Sequence, residues 1–525
     1  MNRRDFVKAA LAAPLMEAAL PVAASAPDGV PPNDAKHPLA GKPLPPWKPG
    51  EFQVHFIYTG VAESLFWIMP DGTTMLLDCG DHPAWQRGKL AVWVLPNGKR
   101  YAGEWIARYV ARVNPNKTDV DYMMLSHHHN DHGGMEGWGA GQPIDWKGQK
   151  IWRNGFMLAA ETLKFRYGFD RGWPNFNEPV PDEQGDDDKC LPHLRRTIAF
   201  LQERDGLEMV PFRVGAVNQV AMRRNATEYP SFKITNICGN GKILCRDGSV
   251  KDLFDWLHGH KGWFNENCMS LGLMVQYGPF RFYTAGDFAE QMKKPDGTRL
   301  WMEDCIAPEL DPVDVAKMNH HGCYSMAESI VSALQARVWT ACVWDKVHLP
   351  ELTLERLADR SIYPGPRLIA PGVFTPMKRL EMAGNPFLAD IAPELDPVDV
   401  AKMNHHGCYS MAKSIVSALQ ARVWTACVWD KVHLPAVTLE RLSDRSLYPG
   451  PRLIAPGVFT PLKRLEMASK PFLADIAPES FEAGHMVLTV APGGKTYNLA
   501  YVTADDESMK VTGAYDFVSK GKTWE

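Results

Sequence analysis

The chain has 525 residues, with 57 Lys or Arg against 61 Asp or Glu, a formal net charge of −4 with histidine neutral. A balance so near neutral, without a basic stripe, offers nucleic acid no electrostatic platform. The length suits one large domain or two medium ones, and no apolar run reaches the roughly 20 residues that a bilayer span needs.

In chain order, Asn2-Arg3-Arg4-Asp5-Phe6-Val7-Lys8 precedes a small, mildly apolar stretch from Ala9 to Ala24. This order resembles a twin-arginine export signal over residues 1–26 and implies a periplasmic or secreted destination. Residues 27–50, rich in proline and small side chains, read as an extended linker, and residues 51–525 as the folded domain. Periodicity predicts strands over 52–57, 65–69 and 73–77, with Pro70-Asp71-Gly72 turning between the last two. Residues 101–113 have helical spacing, and 120–125 form a short buried strand. A hairpin over 271–277 and 280–284 turns at Gly278-Pro279. A strand over 313–318, a helix over 325–334 and a strand over 338–343 follow. Helices alternating with strands, and hairpins among them, predict a mixed α/β sandwich rather than a purely parallel sheet. The ten cysteines form no CxxC pair. Cys238 and Cys245 flank a tight turn, either as a cross-hairpin disulfide or as free thiols.

The strand at 120–125 runs into Ser126-His127-His128-His129-Asn130-Asp131-His132-Gly133-Gly134. Alternate side chains of an extended chain share a face, so His127 and His129 point one way and His128 the other. Asp131 and His132 follow where two glycines let the chain turn. One short segment thereby offers two ligands to one metal ion and two to a neighbour. Imidazole with carboxylate suits zinc, two ions being expected, or iron or manganese. Two cations about 4 Å apart lower the pKa of a shared water toward about 7, and the resulting hydroxide attacks a carbonyl or phosphoryl centre.

His127-x-His129-x-Asp131-His132-Gly133-Gly134 resembles the first metal-binding motif of the metallo-β-lactamase superfamily. Met69–Asp81 resembles that superfamily's opening hairpin, strand and Asp-x-Gly. Tyr283–Glu290 resembles its Gly-Asp motif, and Val315–Ser325 the Lys-x-x-His-His-Gly-Ser segment of the branch that includes the hydrolase domain of the ComEC competence protein. The resemblance covers roughly residues 50–350 and a closing strand set near 486–502. It implies a four-layer αββα sandwich with a binuclear centre. Its metal ligands would be His127, His129, Asp131, His132, a bridging Asp287, and His320 or His321, with His320 favoured as the first after its strand. Asp131 would also orient the nucleophile as the catalytic carboxylate. The chain departs from the pattern at Thr59–Ser64, where the branch usually reads Val-Gly-Gln-Gly-Asp-Ala, and at Cys323, where it has serine. The usual histidine between Asp131 and Asp287 has only His193, His258 and His260 as candidates. Asn265–Ser270 resembles the Asn-x-x-Ser lead-in of the branch that lacks it.

The stretch IAPELDPVDVAKMNHHGCYSMA begins at Ile306 and again at Ile391, a period of 85 residues (391 − 306). The copies, 306–390 and 391–475, differ at about eight positions, such as Glu328 against Lys413. Solenoid repeats are shorter and more divergent, so this reads as a tandem duplication within an older domain. One centre needs only one of His320-His321 and His405-His406. The first pair starts 33 residues after Asp287 (320 − 287) and folds before its twin is made. Copy one is therefore expected to supply the ligand, and copy two to form an extra lobe or an oligomer contact.

Residues 135–230 hold Trp152, Arg153, Phe165, Arg166 and Trp173, readable as a substrate cleft or, for any one of them, as packing. Asp182–Lys189 is an acidic run that reads as a solvated loop. The function expected is a metal-dependent hydrolase of a small-molecule or ester substrate, with phosphodiesters implied by the resemblance. Amide or lactone hydrolysis of the β-lactamase or lactonase type is the alternative, and a degenerate metal-binding non-enzyme the third.

Overall fold

The computed structural model describes residues 37–60, 63–81, 94, 96–176, 190–258, 264–323, 325–342, 349–365, 367–371, 400–402, 423–426, 453–456, 484–504 and 506–519. The leader, the acidic run at 182–189, Tyr324, His260, His405 and His406 lie outside them.

Nine strands form one sheet: β1 (Phe52–Phe56), β2 (Leu65–Ile68), β3 (Thr74–Leu77), β4 (Asp119–Met124), β7 (Lys164–Asp170), β8 (Glu208–Pro211), β22 (Gly484–Val490), β23 (Thr496–Thr503) and β24 (Val511–Val518). Their spatial order is β24-β23-β22-β1-β2-β3-β4-β7-β8. Eight more form a second sheet: β9 (Phe232–Gly239), β10 (Lys242–Leu244), β11 (Val250–Asp252), β12 (Gly272–Tyr277), β13 (Phe280–Thr284), β16 (Val315–Lys317), β17 (Val338–Ala341) and β18 (Leu368–Pro371), ordered β11-β10-β9-β12-β13-β16-β17-β18. Two small hairpins stand apart, β5 (Ile144–Trp146) with β6 (Gln149–Ile151), and β14 (Gln291–Lys293) with β15 (Arg299–Trp301).

Strands β1, β2 and β3 read FQVHF, LFWI and TMLL and are buried at every position. Burial on both faces removes the need for apolar–polar alternation. One face sends Phe52, Val54, Phe56 and Trp67 into a core shared with Phe280, Phe282, Val315 and Val338 of the second sheet. Trp67 meets Phe52 and Phe282 edge-on, with ring centroids 5.6 and 5.7 Å away, and replacing such a ring with alanine costs about 3–5 kcal/mol. The other face sends Phe66, Ile68 and Leu76 against Ile106 and Val110 of the helix Ala102–Val113 and Leu194 and Ile198 of the helix Cys190–Asp205. The second sheet's outer face packs Trp339 and Ile369 against Ile330 and Leu334 of the helix Glu328–Leu334 and Leu354 of the helix Glu351–Ala358. The architecture is mixed α/β: two large mixed sheets face to face, with helices on their outer faces.

Both sheets contain a parallel run, β3-β4-β7-β8 in the first and β13-β16-β17-β18 in the second. Parallel strands deliver all their C-terminal ends to one rim, the usual place for function in such sheets. Asp78, His127, Asp287 and the His320-His321 pair follow such ends, and Asp170 is the last residue of β7.

Several expectations change. Residues 37–50 are docked rather than free: Gly41 N donates to Val511 O at 2.7 Å and Leu44 N to Met509 O at 2.9 Å, while Leu39, Leu44 and Trp47 pack on the outer core. Cys238 and Cys245 are free thiols. Phe165 is buried, Arg153 pairs with Glu161, Arg166 stacks over Tyr167, and Trp173 meets Phe176 edge-on. All four make packing contacts, and Trp173 also lines a cavity. No helix among the described residues is long and apolar enough to cross a membrane.

The duplication is visible as a third sheet. Strands β19 (Val400–Lys402), β20 (Val423–Ala426) and β21 (Leu453–Pro456) pair in parallel, Val400 with Val423 and Val423 with Leu453. Copy one has the same register, Val315 with Val338 and Val338 with Leu368, but it also pairs with β13 through Val315 and Phe282. Deleting residues 391–475 joins Asp390 to Ile476 and recreates the Phe-Leu-Ala-Asp-Ile-Ala-Pro-Glu junction already present at both copy boundaries. The shortened chain should keep its metal content and melt within about 5 °C of the parent; by the size scaling of melting, a larger fall would mean that copy two covers core surface.

A buried polar chain crosses the outer core. The His55 ring contacts Tyr109 Oη at 3.0 Å and Gln53 Oε1 at 3.2 Å, and His485 accepts from Tyr58 N at 3.3 Å. Burial, helped by the neighbouring charge of His485, pushes the His55 pKa down to about 3, and burial and Arg112 do the same to His485. The folded rings refuse protons that the unfolded chain accepts below about pH 6.5. Stability is therefore full above that pH and falls as pH drops toward 3, by about 1.4 kcal/mol per unit for each ring. Chemical denaturation of His55→Gln and His485→Asn should give a flatter pH dependence than the parent; equal slopes would show that the rings protonate in the folded state.

Candidate metal centre

β4 ends in Leu125 and Ser126, and Asp78 at the end of β3 holds this turn. Ser126 N donates to Asp78 Oδ1 and Ser126 Oγ to Asp78 Oδ2, both at 2.7 Å. Asp78 has φ +60°, a left-handed conformation that costs a non-glycine residue about 1–2 kcal/mol. Gly80 follows because the chain passes against the metal loop: a Cβ there would lie 1.6 Å from the carbonyl oxygen of Asp131.

The face alternation read from the sequence holds. His127 Nε2 and His129 Nδ1 face each other at 3.1 Å, and the Asp287 carboxylate is 3.9 Å from His127 Nε2. His128 turns away to Asp170, at 2.8 Å, and its backbone N–H donates to Glu266 Oε1 at 2.7 Å. Glu266 is itself clamped by Arg171 through two 2.6 Å bonds. A buried two-pronged ion pair thus braces the loop from behind.

His132 and His321 are oriented alike. The His132 Nδ1–H donates to Asp78 Oδ2 at 2.8 Å, and the His321 Nδ1–H to Cys342 O at 2.8 Å. Both rings therefore aim Nε2 inward, the arrangement that fixes the tautomer of a metal-ligating imidazole. Their Nε2 atoms lie 3.2 and 3.5 Å from Asp287 Oδ2. Asp131 approaches the same two rings at 4.0 and 3.5 Å and is 24% exposed, at the mouth of the cluster.

The second-sheet half depends on backbone strain. His320, His321 and Gly322 have φ of +45°, +51° and +74° in succession. A built support holds the turn: Glu303 accepts from Asn319 Nδ2 at 2.8 Å, Met326 N at 3.1 Å and Ala327 N at 2.7 Å, and Tyr283 Oη donates to Asn319 Oδ1 at 3.1 Å. This network orders the residues on either side of the turn, so its strain persists. Gly286, at φ +50°, sits where a Cβ would press Ser126 at 2.9 Å, so it brings the Asp287 loop close against the histidine loop.

Glu63 is the residue that the sequence reading missed. It follows β1, is 1% exposed, and lies 2.7 Å from Lys317 Nζ and 3.2 Å from His321 Nδ1. Its signal was present: a carboxylate in the short link between two strands rich in large apolar side chains must find a buried partner. Lys317 is also fully buried and donates to Gly286 O at 2.7 Å. Removing either partner of such a pair strands a buried charge, at about 3–5 kcal/mol.

The electrostatics follow from crowding carboxylates around imidazoles. Burial alone would lower the pKa of His321, but Asp287, Asp131 and Glu63 outweigh it and hold it up at about 10. His132 is raised in the same way, burial being overcome by Asp287 and Asp78. Burial opposes ionisation of Asp287, yet His321 and His132 hold its carboxyl well below the usual range. His127 is held neutral by burial and by the neighbouring His132 charge.

Glu63, His132, Asp287 and His321 each bring a nitrogen or carboxylate oxygen to within 4.8 Å of one another. Buried nitrogen and carboxylate donors converging this tightly fit a divalent cation, zinc foremost. His127 Nε2 and His129 Nδ1, with Asp287 beside them, fit a second. Every ligand predicted from the sequence is at this place except that His320 stands further out: its Nε2 is 4.0 Å from Asp287 Oδ2, and its other nitrogen faces Glu290 at 3.3 Å. The geometry favours His321 over His320. Of the candidates for the missing motif histidine, His193 is buried in the helix Cys190–Asp205 and His258 pairs with Asp252 at 2.9 Å.

The chain matches no protein-family model and no curated protein. His321→Ala should lower the metal retained after dialysis at least about tenfold, and His320→Ala by much less, read by elemental mass spectrometry. Equal loss from both would restore His320 as a ligand.

Proposed function

We propose that this chain is a metal-dependent hydrolase on a metallo-β-lactamase-type αββα sandwich, acting at a binuclear centre on phosphodiester-type substrates. The observation that carries the reading is the convergence of His132, Asp287, His321, Asp131 and Glu63 at the strand-end rim, with His127 and His129 beside them. His127, His129 and Asp287 would hold one ion, and His132, Asp287 and His321, with Asp131 or Glu63 as a further carboxylate, the other. Bound metal would supply Lewis acidity and an activated water at neutral pH.

The chain's own residues do the rest. Asp287 stands between the two sets and fixes their separation. Asp78 and the Cys342 carbonyl keep Nε2 of His132 and His321 directed inward. Asp131, the partly exposed carboxylate, is placed to accept a proton from an attacking water and to orient it. Lys317 keeps Glu63 and Asp287 apart as charges and in place as groups. The Lys317-to-His321 segment, together with the Asn265–Ser270 lead-in, supports the phosphodiesterase branch over β-lactamase or lactonase chemistry. The N-terminal twin-arginine pattern supports export to the periplasm or beyond.

Leader-free protein should contain about two zinc, iron or manganese ions per chain. It should hydrolyse bis-p-nitrophenyl phosphate in preference to nitrocefin and simple lactones, and Asp131→Asn should lower kcat by about 100-fold or more when assayed with excess metal, so that both sites are filled. Preference for nitrocefin or lactones would move the substrate to the amide and ester class. A folded, fully loaded protein without turnover on any of them would leave a metal-binding non-enzyme.

A further inference from the structure

The two copies carry the same residues where copy one meets the metal cluster. Lys317, Asn319, His320, His321 and Cys342 recur as Lys402, Asn404, His405, His406 and Cys427. The copies differ in what stands ahead of them. Copy one is led by the short helix Met302–Ile306, whose last residue is the first of the repeat. Glu303 of that helix is buried and receives Asn319 Nδ2 at 2.8 Å, Met326 N at 3.1 Å and Ala327 N at 2.7 Å. It thereby grips both flanks of the left-handed turn at His320, His321 and Gly322. Asp304 beside it accepts from Ser329 Oγ at 2.5 Å. One period later, at 388 and 389 (303 + 85 and 304 + 85), the chain has Leu388 and Ala389. Neither of those side chains can accept a hydrogen bond.

The other contacts that shape the turn do not tell the copies apart. Ser325 Oγ donates to Asn319 O, Met318 N to Thr340 O and His321 Nδ1 to Cys342 O, and each bond joins two residues of the repeat. Copy two has the same residues at each of those positions, from Met403 to Cys427. Tyr283 bonds Asn319 at 3.1 Å and Gly286 O accepts from His320 N at 3.3 Å, but both belong to β13 and its exit and would meet whichever copy pairs there. Glu303 differs in kind. An unbroken helix ties it to Ile306, so its carboxylate is delivered to copy one alone. Successive left-handed residues persist only where their surroundings hold them, and a support of this kind does more for a ligating histidine than its own ring contacts do.

We infer that Glu303 is a positioning residue for the metal centre, and that it assigns the His320-His321 turn of copy one, rather than its twin, to metal binding. Glu303 touches no ion; it acts through Asn319 and the backbone of Met326 and Ala327. The inference rests on the metal reading of the site, and it concerns the ion held by His132, Asp287 and His321, not the one beside His127 and His129.

The test uses the leader-free full chain. It reads zinc retained after dialysis, by elemental mass spectrometry, and amide hydrogen exchange over residues 317–327 and 126–134. Glu303→Leu gives copy one the residue that precedes copy two. It should lower the affinity for one of two ions at least about tenfold. It should speed exchange over 317–327 at least about tenfold and leave 126–134 within about twofold of the parent. Glu303→Gln keeps the length and one carbonyl acceptor and should give a smaller change of both readings in the same direction; it serves alone if the leucine variant fails to fold. His405→Ala/His406→Ala should leave both readings as in the parent. Unchanged zinc and exchange in the Glu303 variants would overturn the inference. So would equal loss of both ions with exchange rising everywhere, which is general destabilisation. An ion that Glu303→Leu retains, and that His405→Ala/His406→Ala then removes, would give the role to copy two and overturn it as well. A parent that holds two ions without turning over any ester ends the hydrolase reading and leaves the Glu303 result standing; a parent that binds no ion ends both.

Discussion

The structure turns on gathering four carboxylates, the buried Asp78, Glu63 and Asp287 and the partly exposed Asp131, around two imidazoles at the junction of two sheets. So much like charge in a low-dielectric space is unfavourable unless cations share it. Lys317 provides one positive charge, and protonated His132 and His321 provide two more in the polypeptide alone. A pair of divalent cations would displace those protons and take over the same role. This makes loading a competition between metal and protons, and it makes the cluster's geometry as much a consequence of charge as of packing.

That cluster can be assembled because both sheets bring the C-terminal ends of parallel strands to one rim. The first sheet contributes Asp78 and the histidine loop, and the second contributes Asp287 and the strained turn at His320–Gly322. Neither half places its ligands alone. Their alignment comes from the shared core of Phe52, Trp67, Phe282 and Val315, and from close approaches that only glycine permits, at Gly80 against Asp131 and at Gly286 against Ser126. Behind the donors stand Glu266 with Arg171 and Glu303 with Asn319, two buried networks that brace the loops carrying them.

The duplicated segment shows how topology selects among identical sequences. Copies one and two fold their strands in the same register, yet only copy one pairs with β13, through Phe282 and Val315. The sequence of the module specifies its internal pairing. Position along the chain and the single free edge of β13 specify which copy completes the large sheet.

The ligand-bearing stretch was legible in the sequence because its information is local: a buried strand, alternation of side chains, and glycines for the turn. The apolar strands around it were legible for the same reason, as continuous runs bounded by turn residues. What the sequence did not disclose depends on contacts between distant segments. Glu63 is hundreds of residues from Lys317 and His321, and nothing beside it names them. The choice of His321 over His320 rests on a left-handed backbone turn whose flanking residues are held by Glu303, from a separate segment. Residues 37–50 look like a linker in composition, and only their contacts with the edge of β24 and the outer core make them part of the fold. Composition and periodicity decided which side chains were available; the meeting of the two sheets decided which of them share one volume, since burial and charge compensation act between neighbours in space and not along the chain.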